Sequence, residues 1–364
     1  MKGNILVFTN FIAGLHSFRK EVMKAVVDDG YQLYISVPDS DDSRIEYFKG
    51  IGCRIIKTDF NRRGMNPIDD LKLMLKYRSI IKELSPKAVL SYTIKPNVYG
   101  GLACRMTGTP LIANVTGLGD AIENGGWLQK LTVSLYKIGV GKAKQVFFQN
   151  PSNKEVCQRF GIADESAIVL PGSGVNLDHH IYQEYPADGV IKFLYIARLQ
   201  KDKGTGEYFE AAKAIKAKFP LTEFQVLGWK DGEYESQLNE LTAKGIINYL
   251  GTTSDVRPYL KYVHCTIMPS YHEGMSNVNL ESAANGRPVI TTDVPGCRET
   301  VDDGVTGFYC EAKSSESLIA AIERFIALPW EQKKQMGLNA RKKVEREFDR
   351  QIVVKAYLDA INKI

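Results

Sequence analysis

Residues 263–285, VHCTIMPSYHEGMSNVNLESAAN, hold one complete strand–loop–helix unit. Val263–Met268 is an apolar run of strand length. Pro269 to Ser276 form a loop in which Gly274 permits close backbone approach, and a helix is expected from Asn277 to Asn285. Parallel strands need a crossover between them, usually a helix, so a strand feeding a helix in this way marks an α/β sheet.

The same unit recurs on both sides of this stretch. In the second half, strands are expected at Ile191–Ala197, Glu223–Leu227, Ile247–Leu250 and Pro288–Thr291, with helices at Gly206–Lys218, Glu233–Lys244 and Ser314–Leu328. The first half gives strands at Asn4–Phe8, Tyr31–Val37, Cys53–Lys57, Ala88–Ser91, Pro110–Asn114 and Gln145–Gln149. Between them lie a loop at Gly14–Ser17 and helices at Phe18–Val27, Arg44–Lys49, Pro67–Leu84, Val98–Thr107, Leu128–Gly141 and Asn153–Phe160. The helix from Pro67 has a well-specified start, with Asn66 as cap and proline in the first helical position. Residues 171–189 break the alternation with Pro171, Gly172, Gly174, Pro186 and Gly189 and read as a linker. The chain therefore divides into a domain at 1–170, a linker at 171–189 and a domain at 190–345. Glu331–Ile364 is nearly all helical with a break near Phe348-Asp349, which leaves 346–364 as a surplus helix beyond the second sheet.

A length of 364 residues suits two domains, and a 44% hydrophobic, 24% charged composition excludes a disordered or collagenous chain. Cys53, Cys104, Cys157, Cys265, Cys297 and Cys310 form no CxxC pair and are expected as reduced thiols in apolar spaces. The histidines form no HExxH pattern, and His179-His180 reads as an exposed polar pair; no metal is expected. Met1–Gly3 leads directly into the first strand, so the start reads as structure, not as a targeting peptide. No run of 18 uncharged apolar residues marks a membrane span.

Charge is unevenly placed. Residues 1–170 carry 23 Lys and Arg against 16 Asp and Glu, whereas the remainder carries 24 against 26, so the excess lies in the first half. Within 57–105 ten basic residues face four acidic ones. That surface suits anionic lipid, a diphosphate-bearing substrate or nucleic acid, or is simply a solvated helix face. Nucleic acid is not expected, because no stacking aromatics interleave the basic residues and no nucleic-acid motif is present.

The opening stretch also carries chemistry. Glu273 precedes the helix start and Glu281 lies about one turn inside it. The helix start offers orphan N–H groups to phosphate oxygens, while each carboxylate can accept two hydroxyl donors from a vicinal diol. Such a pair can bracket a nucleotide sugar; it can also be a loop residue and a helix surface residue. Glu281 is flanked by Leu280 and Ala283-Ala284, which favours the first reading. Arg198 and Lys203, in the loop after the strand Ile191–Ala197, can neutralise a diphosphate, Arg as a planar fork and Lys as a mobile charge. Charge growing on a leaving phosphate is stabilised by cations and N–H groups aimed at it.

These residues resemble the motifs of the GT-B-fold retaining glycosyltransferases of family 4, the group-1 transferases. E-x7-E is present as Glu273…Glu281. Arg198 and Lys203-Gly204 match the positions that contact the donor diphosphate. Gly174-Val175-Asn176 with Asp178, and Cys297-Arg298-Glu299 before Asp303–Phe308, are similar to the family's linker and late signatures. The resemblance spans nearly the whole chain. It implies two Rossmann-like β/α/β domains facing across a cleft, the first for the acceptor and the second for the donor, with the C-terminal helix crossing back to the first domain.

By the same resemblance, Glu273, Arg198 and Lys203 carry the catalytic roles, with Glu273 on the donor hexose and Glu281 on the ribose. Gly274, Met275, Ser276, Asn277 and Val278 hold the phosphates or orient the sugar; Gly14 approaches the donor and His16 meets the acceptor or a phosphate. A UDP-sugar serves as donor with no cofactor required, and Asp39-Ser40-Asp41 reads as a solvated loop rather than a metal motif.

One departure concerns the first domain. Where many members carry a histidine, this chain has Asn114-Val115-Thr116-Gly117-Leu118-Gly119. In this it resembles the branch that extends polyprenyl-diphosphate-linked glycans for bacterial surface polysaccharides such as lipopolysaccharide and capsule, or for N-glycan precursors. The expectation is transfer of a hexose or N-acetylhexosamine (GalNAc, GlcNAc or Gal type), with retention, to an undecaprenyl-diphosphate-linked saccharide. The enzyme is expected in the cytoplasm, attached peripherally to the anionic inner face of the cell membrane. The alternatives are a UDP-sugar epimerase of the same shape and, from a different class, a basic nucleic-acid-binding protein.

Overall fold

A computed structural model describes residues 1–38, 42–61, 66–116, 126–230 and 232–364. The Asp39–Asp41 motif, Arg62-Arg63 and the Gly117–Gly119 loop lie outside the described residues. The chain forms two compact units, Met1–Ser173 with Gln351–Ile364, and Gly174–Arg350. Residues 174–189 of the expected linker thus count with the second unit.

The first unit is built on seven parallel strands, β1 (Asn4–Phe8), β2 (Gln32–Val37), β3 (Arg54–Lys57), β4 (Ala88–Tyr92), β5 (Leu111–Val115), β6 (Gln145–Phe148) and β7 (Ile168–Val169), in the order β3-β2-β1-β4-β5-β6-β7. β4 and β5 are buried along their whole length, as strands covered on both faces must be. Helices α1 (Ile12–Asp28) and α2 (Arg44–Gly50) cover one face; α3 (Pro67–Leu84), α4 (Gly101–Thr107), α5 (Gly126–Val140) and α6 (Pro151–Arg159) cover the other. The Asn66 side chain accepts from the Ile68 N–H at 3.0 Å and Pro67 opens α3, as the sequence predicts.

The expected Gly14–Ser17 loop is corrected by this structure: Gly14 and His16 lie in the first turns of α1. Ile12 and Leu15 extend back the buried stripe of Arg19, Val22, Met23 and Val26, and that packing outweighs the low helix propensity of one glycine. The expected helix at 98–107 opens instead as a wider π-type turn at Pro96–Gly100 before α4. There the backbones of α4 and α5 nearly touch, since a Cβ on Gly101 would lie 2.1 Å from the Gly139 carbonyl oxygen.

The second unit holds β8 (Ile191–Ile196), β9 (Thr222–Leu227), β10 (Ile247–Tyr249), β11 (Cys265–Met268), β12 (Val289–Thr292) and β13 (Gly307–Cys310), all parallel, in the order β10-β9-β8-β11-β12-β13. Its helices are α7 (Thr205–Lys218), α8 (Glu235–Ala243), α9 (Arg257–Leu260), α10 (Asn277–Ala284), α11 (Ser315–Ala327) and α12 (Trp330–Glu347). The final helix, α13 (Arg350–Asn362), places Val353, Val354, Tyr357, Ala360 and Ile361 in the core of the first unit. Tyr357 packs 4.8 Å from the Phe147 ring, and the Arg19 guanidinium lies about equally far from the Tyr92 and Tyr357 rings, at 6.0 and 5.9 Å.

Both sheets have the Rossmann strand order, which reverses direction between β1 and β4 in the first and between β8 and β11 in the second. In open α/β sheets, ligands bind outside the carboxyl ends of the strands that flank such a reversal.

Candidate functional site

Arg198 and Lys203 follow β8, and Glu273 follows β11, so the side chains singled out in the sequence emerge from the two strands that flank the reversal of the second sheet. Lys203 Nζ donates to Glu273 Oε1 at 2.7 Å, with the two side chains 16% and 17% exposed. The pair is neither fully buried nor freely solvated, so its charges act on one another with less screening than on an open surface. Arg198 is exposed, and no carboxylate among the described residues lies within ion-pair distance of it.

The loops carrying these groups are held by close backbone packing. Gly204 has φ +68°, and a Cβ there would lie 2.1 Å from the Pro269 carbonyl oxygen. Gly296 has φ +82°, and its Cβ would fall 2.2 Å from the carbonyl oxygen of Glu273. The Tyr271 N–H donates to the Asp202 carbonyl at 2.8 Å, and the Ser276 N–H to the Gly296 carbonyl at 2.7 Å. Glu299, from the late signature, accepts from the Gly296 N–H at 2.7 Å. Thr292 Oγ1 donates to the Ser270 carbonyl, and Asn279 Nδ2 donates to Thr291 Oγ1 at 3.1 Å and Thr300 Oγ1 at 3.0 Å.

Gly274 to Ser276 lead into α10, whose cap is the Ser276 side chain, accepting from the Asn279 N–H at 3.4 Å. Asn277 and Val278 are the first helical residues, so their N–H groups belong to the positive end of the helix. Met275 is buried in one apolar cluster with Leu280, Val344 and Phe348.

Glu281 is part-buried on α10. Burial pushes its carboxyl up to about 7, opposed by the charge of Arg350 and reinforced by Asp255. A carboxyl poised near neutrality gains when hydroxyl donors meet its ionised form. The neighbouring His180 corrects the expected exposed pair: it is buried, and its Nδ1 lies 3.1 Å from the Asn285 amide nitrogen. Burial and then the charges of His179, Arg257 and Arg350 lower it to about 4, so it is neutral at ordinary pH. Arg287, which the sequence reading passed over, is fully buried and donates to carbonyls at Gln183, Glu184, Leu260 and Lys261, fixing the segment that leads into β8.

Gly14 and His16 belong to the first unit. The His16 ring meets Tyr47 edge-on at 4.9 Å, and burial, followed by Lys20 and Arg44, lowers its pKa. A separate open hollow beside the β8–α7 loop is lined by Gln200, Lys201, Asp202, Glu207, Tyr271 and Lys313, among others; Arg198, Lys203, Glu273 and Glu281 do not line it. All six cysteines are buried and unbridged, and among the described residues no group of three or more His, Cys, Asp or Glu is placed to hold a metal. No helix of the described residues is long and apolar enough to cross a membrane.

Comparison with known proteins agrees with this fold. Residues 181–343 match the family model of the group 1 glycosyl transferases, and residues 7–150 match that of the glycosyl transferase 4-like domain. The chain is 27% identical to the N,N'-diacetylbacillosaminyl-diphospho-undecaprenol α-1,3-N-acetylgalactosaminyltransferase of Campylobacter jejuni, over 97% of this chain and 96% of that one. It is 25% identical to the UDP-Gal:α-D-GlcNAc-diphosphoundecaprenol α-1,3-galactosyltransferase of Escherichia coli, over 72% of each. Among solved structures, Anabaena HepE in complex with UDP and glucose superposes with a TM-score of 0.80 at 17% identity, covering 99% of both chains. The chain belongs to the GT-B-fold glycosyltransferases of family 4, the group 1 family, and is related to bacterial surface-polysaccharide glycosyltransferases.

Proposed function

We propose that this glycosyltransferase moves a hexose or N-acetylhexosamine from a UDP-sugar to an undecaprenyl-diphosphate-linked saccharide, with retention at the anomeric carbon. The observation that carries the reading is the Lys203–Glu273 pair at the strand-order reversal of the second sheet, beside the start of α10. The activities of the Campylobacter and Escherichia coli relatives support the acceptor class, and the UDP complex of HepE supports the donor class.

In this reading the donor diphosphate lies against Arg198, Lys203 and the N–H groups of α10. Glu273 accepts hydroxyls of the transferred sugar and Glu281 accepts those of the ribose. As the glycosidic bond breaks, negative charge moves onto the leaving diphosphate, where these cations and N–H dipoles already point; little reorganisation is needed, and the barrier falls. Lys203 also acts through its link to Glu273, which sets the orientation of the carboxylate that meets the sugar. The first unit takes the acceptor, whose lipid anchors the reaction at the anionic inner face of the membrane.

The test is transfer from a panel of UDP-sugars to undecaprenyl-diphosphate-linked saccharides, with product linkage read by NMR. An α-linked product from one of these donors is expected. No transfer with any donor, combined with unchanged UDP binding in Glu281→Ala, would refute the proposal.

A further inference from the structure

The helices over the second face of the first sheet expose an unusual side to solvent. On α5, Trp127 is 73% exposed and Leu131 and Ile138 are exposed too. At 3.6 residues per turn, these three directions fall within about 40° of one another. Exposed Lys130 and Lys137 border the stripe, and Gly126–Val140 holds no acidic residue. The pattern repeats on α3, where Ile68 is 65% exposed and shares a side with exposed Leu71 and Leu75. Lys72, Lys76 and Lys82 flank it; Asp69 and Glu83 are the exposed acids of that helix. α4 packs against both α3 and α5 and adds exposed Arg105 and Met106, with Arg105 donating to the Ile138 carbonyl at 3.0 Å. The two stripes therefore lie on helices of one layer, on either side of α4.

Exposed apolar residues scattered singly are ordinary, but aligned on adjacent helices they mark an interaction surface. The chemistry of the border selects the partner. Apolar side chains along a helix, a tryptophan among them, and a fringe of lysines suit a helix lying in the plane of a bilayer interface. The aliphatic groups enter the headgroup–acyl boundary and the lysines meet anionic headgroups.

We propose that this face, with Trp127, Leu131 and Ile138 on α5 and Ile68, Leu71 and Leu75 on α3, docks into the surface of an anionic bilayer. The inference rests on the lipid-linked acceptor reading above and deepens it by naming the docking residues. It assigns the apolar stripes to insertion and Lys72, Lys76, Lys130 and Lys137 to headgroup contact.

The experiment sediments the full chain with vesicles of phosphatidylcholine alone or mixed with phosphatidylglycerol, at low and high salt. The wild type is expected to bind the mixed vesicles at low salt, with a blue shift of tryptophan emission that Trp127→Phe removes. The triple variant Trp127→Ser, Leu131→Ser, Ile138→Ser is expected to lose about tenfold or more in vesicle partitioning, and Lys130→Gln with Lys137→Gln a comparable amount. Leu221→Ser, an equally exposed apolar site in the second unit, is expected to leave partitioning unchanged. Transfer assays with a short-chain, water-soluble acceptor separate the two ideas: the triple variant keeps that activity and loses transfer to vesicle-embedded acceptor. Unchanged partitioning of the triple variant, or binding indifferent to phosphatidylglycerol, overturns the docking face. So does a wild-type dimer that ignores vesicles and becomes monomeric in the triple variant, which assigns the surface to a second copy. Transfer to the soluble acceptor without vesicle binding removes the docking face alone, whereas no transfer to either acceptor removes the functional reading beneath it.

Discussion

At the scale of single residues, the candidate donor site balances charge against burial. Lys203 and Glu273 are each more than four-fifths covered, so removing one partner takes a short charge-assisted hydrogen bond from the other in a partly desolvated place. Lys203→Met is expected to cost on the order of 1–3 kcal/mol of stability, between the values for exposed and buried pairs. Adding Glu273→Gln should restore much of that stability while leaving transfer depressed by about 100-fold or more. A double variant that recovers both, followed by thermal melts and kcat/KM, contradicts the assignment. Glu281 gives a pH signature. Its carboxyl is raised to about 7 in the fold from 4.5, so between those values the native chain binds a proton that the unfolded chain has released. Stability attributable to this group therefore falls as pH rises through that window. Glu281→Gln is expected to melt higher than the wild type at pH near 8, with the gap closing towards pH 4.5; a gap independent of pH rejects the burial argument. The residue types at this site were legible in the sequence, because a carboxylate pair around a helix start has a specific spacing. The contact between Lys203 and Glu273, 70 positions apart, was not, since only the pairing of β8 with β11 brings their loops together.

At the scale of elements, the loops are held by glycines at positions closed to a side chain. Gly204→Ala must place a methyl group against the Pro269 carbonyl in a left-handed conformation, and Gly296→Ala does the same against Glu273. Each is expected to destabilise by about 2 kcal/mol or more and to weaken nucleotide binding, measurable by thermal melts and calorimetry. If either alanine variant melts like the wild type and binds unchanged, the loops are not fixed in this way. Element type followed from apolar periodicity over most of the chain, as α3 shows. Where it did not, packing was the reason: α1 begins at Ile12 because two further apolar residues extend its buried face. β7 has two residues, too few for a period to register, and β13 opens on Gly307 inside the stretch Asp303–Phe308, which reads as a signature loop and not as a strand.

At the scale of the whole molecule, the two sheets share one strand order, and the last helix belongs to the first unit while the segment before it belongs to the second. Tyr357 is fully buried beside Phe147 and Tyr92, so Tyr357→Ala is expected to cost about 3–5 kcal/mol, read by chemical denaturation. A loss below about 1 kcal/mol would show that α13 is peripheral to the first core. The alternation of strands and helices announced the parallel sheets, and the helical pattern of 331–364 announced the surplus helix; its place against Tyr92 and Phe147 depends on tertiary packing that periodicity does not encode. The central claim is that the reversal point of the second sheet holds the nucleotide of the donor. It is tested most directly by titrating UDP calorimetrically into the wild type and into Arg198→Ala, Lys203→Ala and Glu281→Ala. Saturable binding by the wild type, weakened about tenfold or more in each variant, is the predicted result; equal affinity in all four proteins contradicts it.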